Sequence, residues 1–182
     1  MFRGGSCCGR GLGWGKKLSK RNLKSEIHIT PEQALARLMR SCSLRETCSQ
    51  AAQRKLAQWK ISSPAAERIL QRLLAEKWID NRRYAEAFTR EKSRIAKWGS
   101  AKIGAALHAK QISAADIAHA LSLISPENES ATLEKLLSKK AQTLKAKSPQ
   151  DFFAKLVRFG VARGYGYERV KGVVQLLPFS AQ

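Results

Sequence analysis

An all-α fold is what this sequence predicts: an elongated array of three tandem three-helix, helix-turn-helix-like repeats behind a disordered basic N-terminal arm. Three observations carry the prediction. Apolar residues recur three and four apart, and most of these stretches open on a Ser, Thr or Asp at a capping position. There is no sustained period-two run rich in β-branched residues, so no sheet is expected. A junction between two helices returns at a spacing near fifty residues, as it does in tandem arrays.

Residues 1–29 hold six glycines interleaved with bases (Gly4, Gly5, Gly9, Gly11, Gly13 and Gly15). Such a segment cannot bury enough apolar surface to offset its chain entropy, and a disordered basic arm is expected. Thr30-Pro31-Glu32-Gln33 supplies an N-cap, a Pro at the first helical position and Gln three residues after the cap. Ala34, Leu35 and Leu38 then line one face to about Arg40. Ser43-Leu44-Arg45-Glu46 reads as a second capping box, for a helix carrying Leu44, Cys48, Ala52 and Leu56. Ser63-Pro64 opens a third, with Ile69, Leu70, Leu73 and Leu74 facing the core. These three helices make repeat 1, residues 30–79.

Asp80-Asn81 caps the fourth helix, whose apolar positions are Tyr84, Ala85, Phe88 and Ile95. Gly99 is expected to end it in the left-handed conformation, with Ser100 capping a short fifth helix through Ile103, Ala106 and Leu107. Ser113 caps a sixth, carrying Ile117, Leu121 and Ile124. A turn at Ser125-Pro126-Glu127-Asn128 closes repeat 2, residues 80–126. Repeat 3, residues 127–182, holds a Leu-rich seventh helix over 129–146, an eighth capped at Ser148, and a ninth stopped by Pro178.

The recurring junctions are Leu56-Ala57-Gln58-Trp59-Lys60-Ile61, Leu107-His108-Ala109-Lys110-Gln111-Ile112 and Gly160-Val161-Ala162-Arg163-Gly164-Tyr165. Ile61 to Ile112 spans 51 residues and Ile112 to Tyr165 spans 53. Each three-helix unit is too small to bury its apolar face well, so stacking in a line is expected to hide it.

Charge narrows the function. The 182 residues carry 34 Lys+Arg against 14 Asp+Glu, a net charge of +20. Seven bases precede the first acid, Glu26, which leaves 27 against 14 on the body. Such a balance favours a polyanion, nucleic acid first, then an acidic protein surface or an anionic membrane. The four cysteines (Cys7, Cys8, Cys42 and Cys48) have no zinc spacing and read as free thiols in a reducing cytoplasm. No apolar run is long enough for a bilayer. His28, His108 and His119 are scattered, and there is no phosphate-binding P-loop. No catalytic, cofactor-binding or metal-ligating set is therefore assigned, and the protein is not expected to be an enzyme.

The run Leu73-Leu74-Ala75-Glu76-Lys77-Trp78-Ile79-Asp80-Asn81-Arg82-Arg83-Tyr84-Ala85-Glu86-Ala87-Phe88, with the Trp98-Gly99 break, resembles the RecX family, bacterial regulators of the RecA recombinase. Arg54-Lys55-Leu56-Ala57-Gln58-Trp59 and the stretch Lys155–Tyr165 are similar to it as well. The resemblance covers roughly residues 31–177. It implies three tandem three-helix units, binding in the groove of the RecA filament, and inhibition of its ATPase, strand-exchange and coprotease activities. It also implies DNA binding, as in many members. One departure stands out. Where the family has Gly before the closing residue of a unit, this chain has Lys60 and Gln111, and only Gly164 keeps it. A non-Gly residue held left-handed costs on the order of 1 kcal/mol, so the first two junctions are expected to turn differently.

The residues expected to meet RecA or DNA are the basic ones. Arg90, Arg94 and Lys97 share one side of the fourth helix, followed by Lys102 and Lys110. Residues 131–172 hold ten bases to three acids, among which Lys155, Arg158, Arg163, Arg169 and Lys171 are the candidates. They would neutralise phosphates without reading sequence, on single- or double-stranded DNA. Trp59, Trp78 and Trp98 are expected as junction packing rather than base-stacking platforms. The protein expected is a cytoplasmic monomer with no cofactor and no membrane contact that regulates the RecA filament in DNA repair, recombination and the SOS response. The alternative is a general, sequence-nonspecific helical DNA-binding protein.

Overall fold

The structure is a computed structural model and describes residues 29–179. The expected basic arm, with Trp14, Cys7 and Cys8, lies outside them apart from Ile29. Among the described residues there are nine α-helices and no strand: α1 (Pro31–Leu44), α2 (Ser49–Gln58), α3 (Ser63–Ala75), α4 (Asn81–Arg94), α5 (Ser100–His108), α6 (Ala114–Ser122), α7 (Pro126–Gln142), α8 (Pro149–Ala162) and α9 (Tyr167–Gln175).

Local chemistry explains most of the starts. Thr30 and Gln33 form the reciprocal capping box of α1. Asp80, Ser113, Ser125 and Ser148 accept backbone N–H bonds from Arg83, Asp116, Asn128 and Asp151, at the starts of α4, α6, α7 and α8. Each such cap contributes about 1 kcal/mol.

Several boundaries differ from those expected. Ser43 and Leu44 do not open a helix; they are the last turn of α1, and Leu44 is 81% exposed. The box failed because α1 continues through its own hydrogen bonds, with Ser43 Oγ donating to the Arg40 carbonyl. α2 starts at Ser49, after Cys48, which makes no side-chain cap bond. Ser125 to Asn128 is the first turn of α7, because Pro126 at the first helical position with a Ser cap starts a helix as readily as it makes a turn. Ile95 is not a core residue. It is 78% exposed, as it follows the last turn of α4. Leu74 faces partly outward, 39% exposed.

The α4 exit also differs. Lys97 takes the left-handed conformation (φ 55°), while Gly99 is ordinary extended backbone (φ −77°) and forms the N-cap of α5 in place of Ser100. Gly99 is required for another reason. A Cβ there would lie 2.3 Å from the Gly164 carbonyl oxygen.

The three junctions superimpose in chemistry. Ile61, Ile112 and Tyr165 donate to the carbonyls of Leu56, Leu107 and Gly160, and Lys60, Gln111 and Gly164 donate to Ala57, His108 and Val161. This paired pattern is the Schellman exit. Lys60 (φ 56°) and Gln111 (φ 57°) adopt the left-handed conformation despite their side chains, as Gly164 does (φ 91°). The expectation that the first two junctions turn differently is thus corrected. The two exit hydrogen bonds and the burial of Leu56, Leu107 and Ile112 offset the local strain.

Burial is divided among three cores. The first gathers Ala34, Leu38, Ala52, Leu56, Ile69, Leu73 and Ile79. The second gathers Ala85, Ile103, Leu107, Ile112 and Ala120 and also takes in Cys48 from the α1–α2 segment. The third gathers Leu133, Leu137, Phe152, Leu156, Tyr165, Val170 and Val174. Neighbouring units meet through Cys48 and Ala51, which pack on the second core, and through polar contacts at helix ends.

Candidate functional site

Unit docking fixes where the basic residues point. Asn81, in the first turn of α4, accepts the Ser49 backbone N–H at 3.0 Å and donates to Ser49 Oγ at 3.0 Å. Gln50 Nε2 reaches the Ala109 carbonyl at 3.2 Å. The next pair of units repeats both features. Glu129 in α7 accepts the Ser100 N–H at 2.9 Å, and Lys102 Nζ reaches the Ala162 carbonyl, the counterpart of Ala109, at 3.0 Å. Gly99 and Ala101 N–H groups donate to the carbonyls of Arg163 and Gly164, which brings the two backbones into direct contact. Gly164 is needed both for its φ and because a Cβ there would lie 2.3 Å from that of Lys102.

These contacts sort the ten predicted residues. Five are engaged within the protein. Lys102 is held by Ala162 and lies over the Trp98 ring at 4.8 Å. Arg163 donates to the Ala96 carbonyl at 3.0 Å and lies over Phe159. Arg169 pairs with Glu129 at 2.6 Å, and Lys155 pairs with Asp151 at 2.7 Å. Lys110 lies over Tyr84 and Phe88, 5.9 Å from each ring. The other five, Arg90, Arg94, Lys97, Arg158 and Lys171, have no acid within ion-pair distance among the described residues. Arg90, Arg94, Lys97 and Arg158 are exposed and Lys171 is half-buried. Three of these five unpaired bases, Arg90, Arg94 and Lys97, lie together on the outer face and exit of α4. The C-terminal bases are partly consumed in building the third unit.

The tryptophans pack at junctions. Trp59 and Trp78 lie against the first core, and Trp98 meets Phe88 edge to face at 6.5 Å. The Trp98 ring also has Lys92 within 5.7 Å, besides Lys102. Tyr165 is buried and donates to the Lys97 carbonyl at 3.2 Å. Burial, and then the nearby Glu129 charge, hold its phenol above the usual range. Burial pushes the Tyr84 phenol up to about 12, with the charges of Cys48 and Glu91 adding to it.

The sequence did not reveal Asn81 and Glu129 as caps for helices of another unit. The available signal was indirect: Cys48 and Gly99 offer no capping oxygen, so α2 and α5 must find acceptors elsewhere. Among the described residues, no three His, Cys, Asp or Glu are grouped to hold a metal ion, and no helix is long and apolar enough to cross a membrane.

Residues 80–121, the α4–α6 unit with the unpaired bases, match the family profile described as RecX, second three-helix domain. This chain carries a RecX domain. Curated relatives agree, and they are named regulatory protein RecX. One from Clostridium tetani is 32% identical over 117 residues, covering 63% of this chain and 53% of that protein. One from Clostridium perfringens is 31% identical over 125 residues, covering 68% and 58%. One from Oceanobacillus iheyensis is 29% identical over 107 residues, covering 59% and 39%. The chain spans about half the length of the curated relatives it matches. In fold it is similar to the crystal structure of RecX from Lactobacillus salivarius, with a TM-score of 0.69 at 19% identity, covering 80% of this chain and 94% of that one. A second crystal structure, of regulatory protein RecX, has a TM-score of 0.71 at 21% identity over 80% and 70%. The all-α RecX architecture expected from the resemblance is thus the one observed.

Proposed function

We propose that this protein binds the RecA nucleoprotein filament and lowers its recombinase, ATPase and coprotease activities. It would act without chemistry of its own, as a cytoplasmic monomer in DNA repair and the SOS response. The observation that carries the proposal is the coincidence of the RecX second-domain match with three unpaired bases, Arg90 and Arg94 on α4 and Lys97 at its exit. These side chains, with Arg158 and Lys171, are available to phosphates or to acidic groups of a filament without breaking any internal ion pair. Lys102 and Arg163 support them by joining the second and third units, while Lys110, Lys155 and Arg169 are held by contacts within one unit. A rigid surface loses less entropy on docking than a flexible one.

The general DNA-binding alternative is supported by the same charge, since phosphate neutralisation needs no protein partner. The two part on one measurement. RecA ATPase on single-stranded DNA is followed with increasing protein, then again with DNA in excess. Inhibition that survives excess DNA supports filament binding; inhibition that excess DNA abolishes supports coating of the lattice.

A further inference from the structure

The two joints between units follow one plan but differ in how closely the backbones approach. At the second joint, Gly99 and Ala101 donate to the Arg163 and Gly164 carbonyls at 2.9 and 3.2 Å. Arg163 also reaches the Ala96 carbonyl at 3.0 Å, and the buried Tyr165 reaches the Lys97 carbonyl at 3.2 Å. This approach depends on two glycines. A Cβ at either Gly99 or Gly164 would lie 2.3 Å from an atom across the joint.

At the first joint both positions carry side chains. Cys48 precedes α2 as Gly99 precedes α5, and Gln111 takes the left-handed position that Gly164 takes one unit later. Their Cβ atoms forbid so close an approach. Among the described residues, no backbone hydrogen bond joins the first unit to the second. Side chains cross instead. They are the Asn81–Ser49 pair, Gln50 on the Ala109 carbonyl, and an exposed Arg83–Glu46 ion pair at 2.7 Å, beside the packing of Cys48 and Ala51 on the second core. An exposed ion pair adds little to such a joint.

A cleft of about 490 Å³ lies beside these ties. Thr47, Ala51 and Lys55 of the first unit line it, as do Tyr84, Ala87 and Phe88 of the second. The stacked rings of Tyr84 and Phe88 stay only partly buried there. The second joint has a cleft of about 360 Å³, but Tyr165 in its wall is bonded across to Lys97. The chain itself offers little resistance at the first joint. Ile79 donates to the Leu73 carbonyl and belongs to the first core, while Asp80, in extended conformation, already caps α4.

We propose that the joint between the first and second units is a hinge, while the second and third units move as one body. The first unit turns about the Ile79–Asp80 link and the Asn81–Ser49 pair. Closing the cleft covers Tyr84 and Phe88, and it exchanges the Gln50 and Glu46 ties. The α4 face keeps its place relative to the third unit throughout. The motion belongs to the free protein and does not rest on filament binding.

The test is double electron–electron resonance on the full-length protein. Spin labels are carried by p-acetylphenylalanine at the exposed positions 54, 115 and 134, one in each unit, so the native cysteines are untouched. The distance distribution between positions 54 and 115 is expected to be about twice as wide as that between 115 and 134. Ala87→Phe, a wedge in the cleft, narrows the first distribution toward its longer distances and leaves the second unchanged, which also reports that the variant is folded. Glu46→Ala with Gln50→Ala widens the first distribution alone. The proposal is overturned if the two parent distributions have equal widths, if the second is the wider, or if neither the wedge nor the loss of the two ties alters the first.

Discussion

Asn81 Oδ1 accepts the Ser49 backbone N–H at 3.0 Å, so the first helix of the middle unit caps the second helix of the unit before it. Glu129 does the same for Ser100 one unit later. The second helix of the third unit, with no described unit after it, is capped by its own Ser148. The array is joined by capping across units. Asn81→Ala should therefore cost about 1 kcal/mol, the usual worth of an N-cap, although Asn81 lies outside the helix it caps. Urea unfolding checks this; a change within error would mean that water replaces the bond without loss.

The left-handed exits give a second prediction. Gln111→Gly and Lys60→Gly remove a strain of about 1 kcal/mol each, partly offset by the greater freedom of glycine in the unfolded chain. A gain of up to about 1 kcal/mol in urea unfolding is expected. Gly164→Ala should go the other way by several kcal/mol, since it adds steric overlap with Lys102 to an unfavourable φ. Equal effects at the three positions would show that the backbone contact between Gly99 and Gly164 is not important to docking.

Alkaline pH gives a third. Burial raises the phenols of Tyr84, to about 12, and Tyr165 above their ordinary value of 10.0. Between these values the unfolded chain has lost protons that the native protein keeps. Stability contributed by the neutral phenols is full below about pH 10 and is lost as pH rises toward 12. Thermal melts across this range should fall, and Tyr84→Phe should flatten the decline. An unchanged slope in the variant would place the titration elsewhere.

The unpaired face of α4 gives a fourth. Changing Arg90, Arg94 and Lys97 together to Glu should weaken binding to DNA or filament and flatten its salt dependence. Each phosphate left without its cation reduces the slope of log affinity against log salt by roughly 0.7 to 0.9. Reversal of Lys155 or Arg169 should act more through stability, because each already has an acid partner.

Much of the fold was legible in the sequence. Thr30, Asp80, Ser113 and Ser148 announced their helices through side-chain chemistry that acts over three residues. The junctions closing at Ile61, Ile112 and Tyr165 showed the repeat through position alone. Ser43 and Ser125 misled because a local box cannot say whether the preceding helix has ended. Gly99 misled because its glycine answers a long-range demand, the approach of Gly164. For the same reason the basic residues could be counted but not sorted. Whether Arg169 is free or held depends on Glu129, forty residues away in sequence.

The proposed action on the RecA filament through a surface centred on α4 is decided by RecA ATPase on single-stranded DNA, comparing the protein with its Arg90, Arg94 and Lys97 to Glu variant. Inhibition is expected at well below one protein per RecA subunit, persisting in excess DNA and greatly reduced in the variant. Inhibition that disappears on adding DNA, or that the variant retains in full, would contradict it.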